Sequence, residues 1–210
     1  IQYTLIIIIL RRGLFEHKNS QACSMCSACC IMFHHVHLFA NQGSCSGWRF
    51  HIDPFGNVFL VLAALLLGGL YGGLAGAIGM TIADIMDPVY ILVAPKTFVL
   101  KLCIGLIVGA IAHKSKKINE SNDNKYILKW AVIASCAGML FNVFADPFVG
   151  YFYKLYVLGQ PQQIASALAK ISAGVTFFNA VVTVIVANIL YMAVRPVLKR
   201  SHLLLSLIHI

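Results

Sequence analysis

Charged side chains within a long apolar stretch are the first candidates for chemistry in this chain. Residues 58–83 contain no charged side chain. The apolar sequence that follows brings four charges close together: Asp84, Asp87, Lys96 and Lys101. A charged group in hydrocarbon is energetically costly, so it usually faces another polar group or a polar cavity. The pattern therefore favours a polar cavity inside a membrane-embedded structure.

The composition requires a lipid environment for much of the chain. Of its 210 residues, 60% are hydrophobic and only 11% are charged, whereas a soluble domain carries about 25% charged residues. The formal net charge of +9 does not indicate a nucleic-acid partner, because the basic residues cluster at the ends of apolar runs, as in membrane proteins. The lipid bilayer is the expected surrounding, and no nucleic acid is expected to bind.

Four apolar stretches predict an all-α polytopic membrane helix bundle. The first is too long for one upright helix across about 30 Å of hydrocarbon, and it contains a glycine cluster. We expect it to form two helices, about 55–68 and 73–87, joined by a tight turn, with a single tilted helix as the alternative. The remaining helices are predicted at about 95–113, 125–146 and 171–194, with Pro147 ending the second of these and a short helix from Gln162 before the third.

The distribution of lysine and arginine predicts the orientation in the membrane. Five lysines lie in or beside the polar segment of residues 114–129, and three basic residues, Arg195, Lys199 and Arg200, follow the last apolar stretch. Both regions are therefore expected on the cytoplasmic side of the plasma membrane. The connections at residues 87–96 and 150–170 are then expected outside.

With this topology, four helices bring polar groups to the outer half of the bundle. These groups are Asp84, Asp87, Lys96, Thr97, Lys101, Asn142, Asp146, Thr176 and Asn179. They either satisfy one another, as in a structural membrane subunit without a ligand, or they line a pocket. Aromatic residues at similar depth favour a pocket for a small organic ligand: Tyr90, Phe98, Phe141, Tyr151, Phe152, Tyr153 and Phe178.

Glycines recur at four-residue spacing, as in Gly69 and Gly73, Gly72 and Gly76, and Gly105 and Gly109. Small residues at this spacing let helices approach closely. They indicate either packing within the bundle or a docking face for another membrane subunit.

The first fifty residues and the last ten are set apart from the bundle. Residues 1–50 hold five cysteines between Cys23 and Cys45, together with His34, His35 and His37. The CxxC spacing suits zinc or iron–sulfur ligands, which would make the chain a membrane metalloprotein. Because the segment lacks helical or strand periodicity, the alternative is that it is non-native or disordered, and residues 201–210 are interpreted as an artefactual tail.

No catalytic motif accompanies these features. The sequence contains no HExxH and no P-loop, so neither an enzyme nor a bound cofactor is expected. If the chain takes part in energised transport, ATP hydrolysis must belong to another subunit.

Residues 51–200 resemble a known family. The stretches GNVFLVLAALLLGGLYGGLAGAIGMTIADIM, APKTFVLKLCIGLIVGAIAH, FNVFADPFVGYFYK and NAVVTVIVANILYMAVRPVLK are similar to the substrate-binding S component of energy-coupling factor (ECF) vitamin transporters, of the riboflavin-type group. The resemblance implies six membrane helices, a vitamin pocket near the outer face, and docking on a membrane coupling subunit with two ATPase subunits. The family's first helix should precede His51. Because residues 1–50 do not resemble it, that helix is expected to be missing or replaced.

The resemblance also implies a role for individual residues. Polar positions of the family pattern correspond to Asn57, Lys101, Asn142, Asp146 and Asn179, and the converging charges add Asp84 and Lys96 as substrate-binding candidates. The expected function is capture of a water-soluble vitamin, with riboflavin as the first guess, and uptake powered by the partner ATPases. Charges of both signs near the predicted pocket favour a neutral or zwitterionic ligand.

Overall fold

A short apolar helix occupies the centre of the bundle. The computed structural model describes residues 54–88, 90–116, 118, 121 and 123–200, without the side chains of residue 54 and residues 197–200. Helix α1 (Pro54–Leu67) packs against three other helices, and its residues Val58, Leu60, Val61, Ala64 and Leu65 are almost fully buried. A helix that is apolar on all sides is stable only when neighbours surround it, which explains this central place.

Four longer helices surround α1 or extend beside it: α2 (Gly69–Met86), α3 (Ala94–Gly109), α4 (Asn124–Phe152) and α5 (Gln162–Arg200). Among the described residues, four helical segments are long and apolar enough to cross a membrane: Gly69–Met86, Ile91–Ser115, Asn124–Val157 and Gln162–Pro196. Helix α1 contacts α2, α3 and α5, and the pairs α2–α3, α3–α4 and α4–α5 are also in contact. The prediction of a polytopic helix bundle is confirmed.

The first apolar stretch folds as two helices with a turn at a single residue. Gly68 separates α1 from α2 and has a φ of 88°, a left-handed conformation that glycine adopts without steric cost. The prediction of two helices is confirmed, and the alternative of one tilted helix is wrong. The predicted turn was too long, however, because Gly69, Gly72 and Gly73 belong to α2.

Glycines inside α2 bring its backbone onto the neighbouring helices. A Cβ atom on Gly72 would overlap the backbone of Ala63 on α1, and one on Gly109 would overlap the backbone of Gly69. Gly105 and Gly73 meet in the same way one turn away. These glycines pack within the bundle, so the structure places them against the chain itself rather than on a docking face.

Two helices extend beyond their predicted ends. Helix α4 continues through Pro147 to Phe152, and α5 begins at Gln162, well before residue 171, and continues through Pro196. The prediction that Pro147 stops its helix is therefore wrong. A proline removes one backbone hydrogen bond, but in a membrane the other backbone groups have no water to bond with, so continuing the helix is favoured.

The bundle has two ends that differ in their connections. The upper end carries the α2–α3 connection at residues 87–93 and the α4–α5 connection at residues 153–161. The lower end carries the turn at Gly68, the π-helical turn Ala110–Ser115 that extends α3, and the α3–α4 connection. In the predicted orientation the upper end faces outward and the lower end faces the cytoplasm.

Candidate functional site

A carboxylate at the upper end joins three helices. Asp146 on α4 accepts a hydrogen bond at Oδ1 from Lys96 Nζ on α3, at 2.7 Å, and this contact is also an ion pair. Its Oδ2 accepts bonds from Ser172 Oγ at 2.6 Å and Thr176 Oγ1 at 3.2 Å, both on α5. Hydrogen bonds between charged partners are short and strong. Asp146 is thus the group through which α3, α4 and α5 meet.

The lysine of this pair reaches the carboxylate across a glycine. The ammonium nitrogen of Lys96 lies 3.3 Å from the position that a Cβ on Gly150 would occupy. Only 13% of the Lys96 side chain and 23% of the Asp146 side chain are exposed. Both charges are therefore largely withdrawn from the surroundings and neutralise one another, which is how ionised side chains become tolerable at such a depth.

A second lysine bonds to the central helix. Lys101 Nζ on α3 donates to Asn57 Oδ1 on α1 at 2.8 Å. Asn57 is 4% exposed, so its amide oxygen would be costly without this donor. The contact links α1 to α3 about one and a half turns further into the bundle than Lys96.

Two buried asparagine side chains near the depth of Lys101 have an amide oxygen that accepts no hydrogen bond from the described part of the chain. Asn142 on α4 is 2% exposed and Asn179 on α5 is 6% exposed. The Oδ1 atoms of both lack a hydrogen-bond partner among the described residues. An unpaired buried acceptor costs about 1–3 kcal/mol. A buried acceptor that is left unpaired at this cost needs a specific explanation. A ligand that donates hydrogen bonds to it is one such explanation.

The helix register places these two amides at the same depth. Asp146 and Thr176 are bonded across α4 and α5, which run in opposite directions. Asn142 lies four residues below Asp146 and Asn179 three residues below Thr176, or about 6 Å and about 4.5 Å at a rise of 1.5 Å per residue. The amides therefore lie within about 2 Å of one another in depth, on adjacent helices.

Six of the seven predicted site residues take part in these contacts or carry the unsatisfied oxygens. The structure joins Lys96 to Asp146 and Lys101 to Asn57, and it buries Asn142 and Asn179 below the first pair. Asp84 lies at the same end, half-buried near the end of α2. The prediction that all seven bind a substrate stays a prediction.

Ser172 was missed by the sequence reasoning, and Thr176 was noticed only as one of the polar groups at this depth. Together with Asn179 and Thr183 they are spaced by four, three and four residues, the repeat of one helix face. Thr176, Asn179 and Thr183 are all buried. This periodic polar stripe on an apolar helix was the signal that could have identified Ser172.

The predicted aromatic wall is only partly present. Phe178 is 59% exposed and Phe152 is 40% exposed, so these rings face the surface of the bundle rather than its interior. Phe152 packs against Phe148, Tyr151 and Tyr156 in a ladder of rings at the upper end of α4. Phe98 and Phe141 are half-buried and remain the better candidates to contact a ligand.

Polar side chains at the lower end bond mainly to the backbone. Arg195 Nη2, on a side chain that is 5% exposed, donates to the carbonyl oxygens of Ile118 and Ser121 at 3.2 and 2.7 Å. His113 Nε2 lies 3.1 Å from the Ala64 carbonyl oxygen. These bonds tie the α3–α4 connection and the end of α3 to the last helix and to α1.

A buried amide also lies in the lower half. Asn188 is 4% exposed, and its Nδ2 donates to Ser135 Oγ at 3.2 Å and to the Val184 carbonyl oxygen at 2.7 Å. Its Oδ1 has no partner within the described part of the chain. Unlike the upper amides, it lies next to no ion pair that the described residues reveal.

The described residues contain no group of three His, Cys, Asp or Glu side chains that could hold a metal ion. The predicted metal site between Cys23 and Cys45 lies outside the described residues, as do the predicted segments 1–50 and 201–210. The alternative of a membrane metalloprotein therefore stays a sequence-based prediction.

Comparison with known proteins places the chain in a family. Residues 25–196 match the family model of the ECF-type riboflavin transporter, S component, which is more than half of the chain. The matched range begins inside the segment 1–50 that the sequence analysis set apart. No curated protein and no solved structure matches the chain. The chain belongs to the family of ECF-type riboflavin transporter S components, which confirms the resemblance seen in the sequence.

Proposed function

Since the chain belongs to this transporter family, we propose that it captures a water-soluble vitamin, riboflavin in the first place, at the upper end of the bundle. The vitamin then passes inward with the help of a membrane coupling subunit and two ATPase subunits. The contact residues are Asn57, Lys101, Asn142 and Asn179, with Asp84, Lys96 and Asp146 completing the polar surroundings.

One observation carries this proposal. The amide oxygens of Asn142 and Asn179 are buried, have no hydrogen-bond partner among the residues that the structure describes, and lie at one depth on adjacent helices. A ligand with N–H or O–H donors would satisfy both at once and recover the cost of burying them. Riboflavin carries donors of both kinds, on its ring and on its side chain, which supports it as the first ligand to test.

The electrostatics support a ligand without strong charge. Asp146 is neutralised by Lys96 and further bonded by two hydroxyl groups, and the ammonium of Lys101 is already bonded to Asn57. A neutral ligand can bond to the remaining amide oxygens and leave the charged groups as they are.

Ligand binding by the purified chain tests the proposal directly. Isothermal titration calorimetry in lipid nanodiscs would compare riboflavin with a panel of other B vitamins. We expect saturable binding of riboflavin with one site per chain. Binding of a different vitamin would replace the ligand but keep the capture function, and no binding by any member of the panel would contradict the proposal.

The role of the partners and the orientation need separate tests. Reconstitution with a coupling subunit and two ATPases should give uptake of the vitamin that requires ATP. The plasma membrane is the proposed location, with the C-terminus in the cytoplasm. A reporter inserted in the segment of residues 114–125 should be accessible only from the cytoplasm, and labelling from outside would overturn that orientation.

A structural membrane subunit without a ligand is the second candidate. The internal pairing of Lys96 with Asp146 and of Lys101 with Asn57 favours it, because both contacts would stabilise the bundle without any ligand. The two candidates differ in what the unsatisfied amides do. Only vitamin capture predicts that their removal weakens ligand binding in a protein that still folds.

A further inference from the structure

The contacts of Asp146 suggest a role other than touching the ligand. Both of its carboxylate oxygens are engaged, Oδ1 by Lys96 and Oδ2 by Ser172 and Thr176. A carboxylate that already accepts three hydrogen bonds from two neighbouring helices has little remaining capacity for a ligand. Its position, however, determines how those helices meet.

The two amides whose oxygens are unsatisfied lie close to these contacts on the same helices. Asn142 precedes Asp146 by four residues on α4, and Asn179 follows Thr176 by three residues on α5, so each amide lies one helical turn from a bonded residue. Residues at these spacings share a helix face. The bond between Asp146 and Thr176, at 3.2 Å, therefore sets the rotation and the axial register of the two faces that carry the amides.

The third helix is held by the same group. Lys96 sits in the first turn of α3, against the backbone of Gly150 on α4, and donates to Asp146 at 2.7 Å. Lys101 on the same helix bonds to Asn57 on α1. The position of α3 relative to α4 thus also sets where the Asn57–Lys101 pair lies relative to the amides.

We propose that Asp146 is a positioning residue for the vitamin site. It holds α3, α4 and α5 in the register that presents the Asn142 and Asn179 oxygens to one ligand, and it acts through those amides without touching the ligand. Ser172 and Thr176 take part in the same role on α5, and Lys96 does so on α3. This inference rests on the proposed function, since it concerns how the vitamin site is assembled.

A double-mutant cycle tests the proposal. Riboflavin affinity would be measured by isothermal titration calorimetry for the full chain and for Asp146→Asn, for Asn142→Ala combined with Asn179→Ala, and for the combination of all three changes. Residues that act through one another show non-additive effects. We expect Asp146→Asn to weaken binding about tenfold in the natural background, and to have less than a twofold effect once the amides are gone.

Two further variants keep the test decisive if Asp146→Asn does not fold. Ser172→Ala removes one hydroxyl donor without changing any charge, and Lys96→Met removes the ion pair while keeping most of the length of the side chain. Each should reduce affinity less than Asp146→Asn does, and each reduction should also vanish in the background without the two amides. A stability measurement by thermal unfolding accompanies every titration.

Two results would overturn the inference, and a third would contradict the proposed function. Additive effects of Asp146→Asn and the amide changes would mean that the carboxylate contacts the ligand itself. Lower thermal stability with unchanged affinity, for Asp146→Asn or for its two substitutes, would leave only a structural role. Failure of the unaltered chain to bind any vitamin would instead contradict the proposed function, so that the two failures are told apart by the unaltered protein.

Discussion

The two ends of the bundle use buried polar groups in different ways. At the upper end, the two buried lysine contacts join side chains of different helices, Lys96 to Asp146 and Lys101 to Asn57. At the lower end, Arg195 and His113 bond to backbone carbonyl oxygens of the connections and helix ends. The first pattern fixes side chains relative to one another, and the second secures the path of the chain.

Together with the proposed function, this difference predicts which substitutions affect ligand binding and which affect stability. Bonds from side chains to backbone satisfy carbonyl groups that would be costly to leave unpaired in a membrane. Bonds between side chains create a surface whose chemistry depends on the residues chosen. Changes at the lower end should therefore affect the folded state as a whole, and changes at the upper end should affect ligand binding.

The largest effect is expected at the close backbone contact between α2 and α3. Gly109→Ala would place a Cβ atom into the backbone of Gly69, and neither backbone can move without separating α2 from α3. We expect loss of monodisperse folded protein, measured by size-exclusion chromatography in detergent. Gly174→Ala is the matched control, because a Cβ at Gly174 meets nothing within 4 Å. Normal folding of Gly109→Ala would mean that these helices do not pack so closely.

Arg195→Met should separate stability from binding. The change removes the donor for the Ile118 and Ser121 carbonyl oxygens, and hydrogen bonds from charged groups contribute about 1.5–3 kcal/mol each. We expect thermal unfolding at a clearly lower temperature, and riboflavin affinity within about twofold of the unaltered chain in the folded fraction. A riboflavin affinity in the folded fraction that is weakened well beyond twofold would contradict the distinction between the two ends.

Lys101→Met should give the opposite pattern with a smaller effect. The Asn57 oxygen loses a donor at 2.8 Å, and a buried acceptor left unpaired costs about 1–3 kcal/mol. Because Asn57 and Lys101 are proposed contact residues, we expect weaker riboflavin binding by calorimetry in protein that still folds. A purely structural subunit would show lower stability with no ligand-specific change.

The smallest effect is expected on the exposed ring ladder of α4. Phe148 is 65% exposed and contacts the ring of Phe152. Phe148→Leu keeps an apolar side chain on this surface, so stability should change by less than about 0.5 kcal/mol and riboflavin affinity should not change. A marked loss of affinity would show that the ladder closes over the ligand and would extend the site beyond the interior polar groups.

Hydropathy and glycine predicted most of the fold because both act locally. The long uncharged stretch required two helices to fit the bilayer, and Gly68 supplied the only break that the described structure needs there. The prediction that a helix ends at Pro147 was wrong, because the preference of proline for a helix end is local and the surrounding membrane overrides it. The sequence therefore predicted which segments are helical better than where each helix ends.

The candidate site was predictable in its residue types but not in its pairings. Polar residues in apolar helices marked Lys96, Lys101, Asn142 and Asp146. Which of them pair depends on the register between helices that are far apart in sequence, as for Ser172, which bonds to Asp146 across 26 residues. The outward direction of Phe178 was missed for the same reason, since depth alone does not say which way a side chain faces.

Stabilisation by the ligand tests the central claim most directly, because a ligand raises the melting temperature only if it binds the folded chain. The unaltered protein would be compared with Asn142→Leu combined with Asn179→Leu, and with Asn188→Leu as a buried amide of the lower half. We predict that riboflavin raises the melting temperature of the unaltered protein and of Asn188→Leu by similar amounts, and raises that of the double variant much less. Equal stabilisation of the double variant and the unaltered protein would contradict a vitamin site built on the two upper amides.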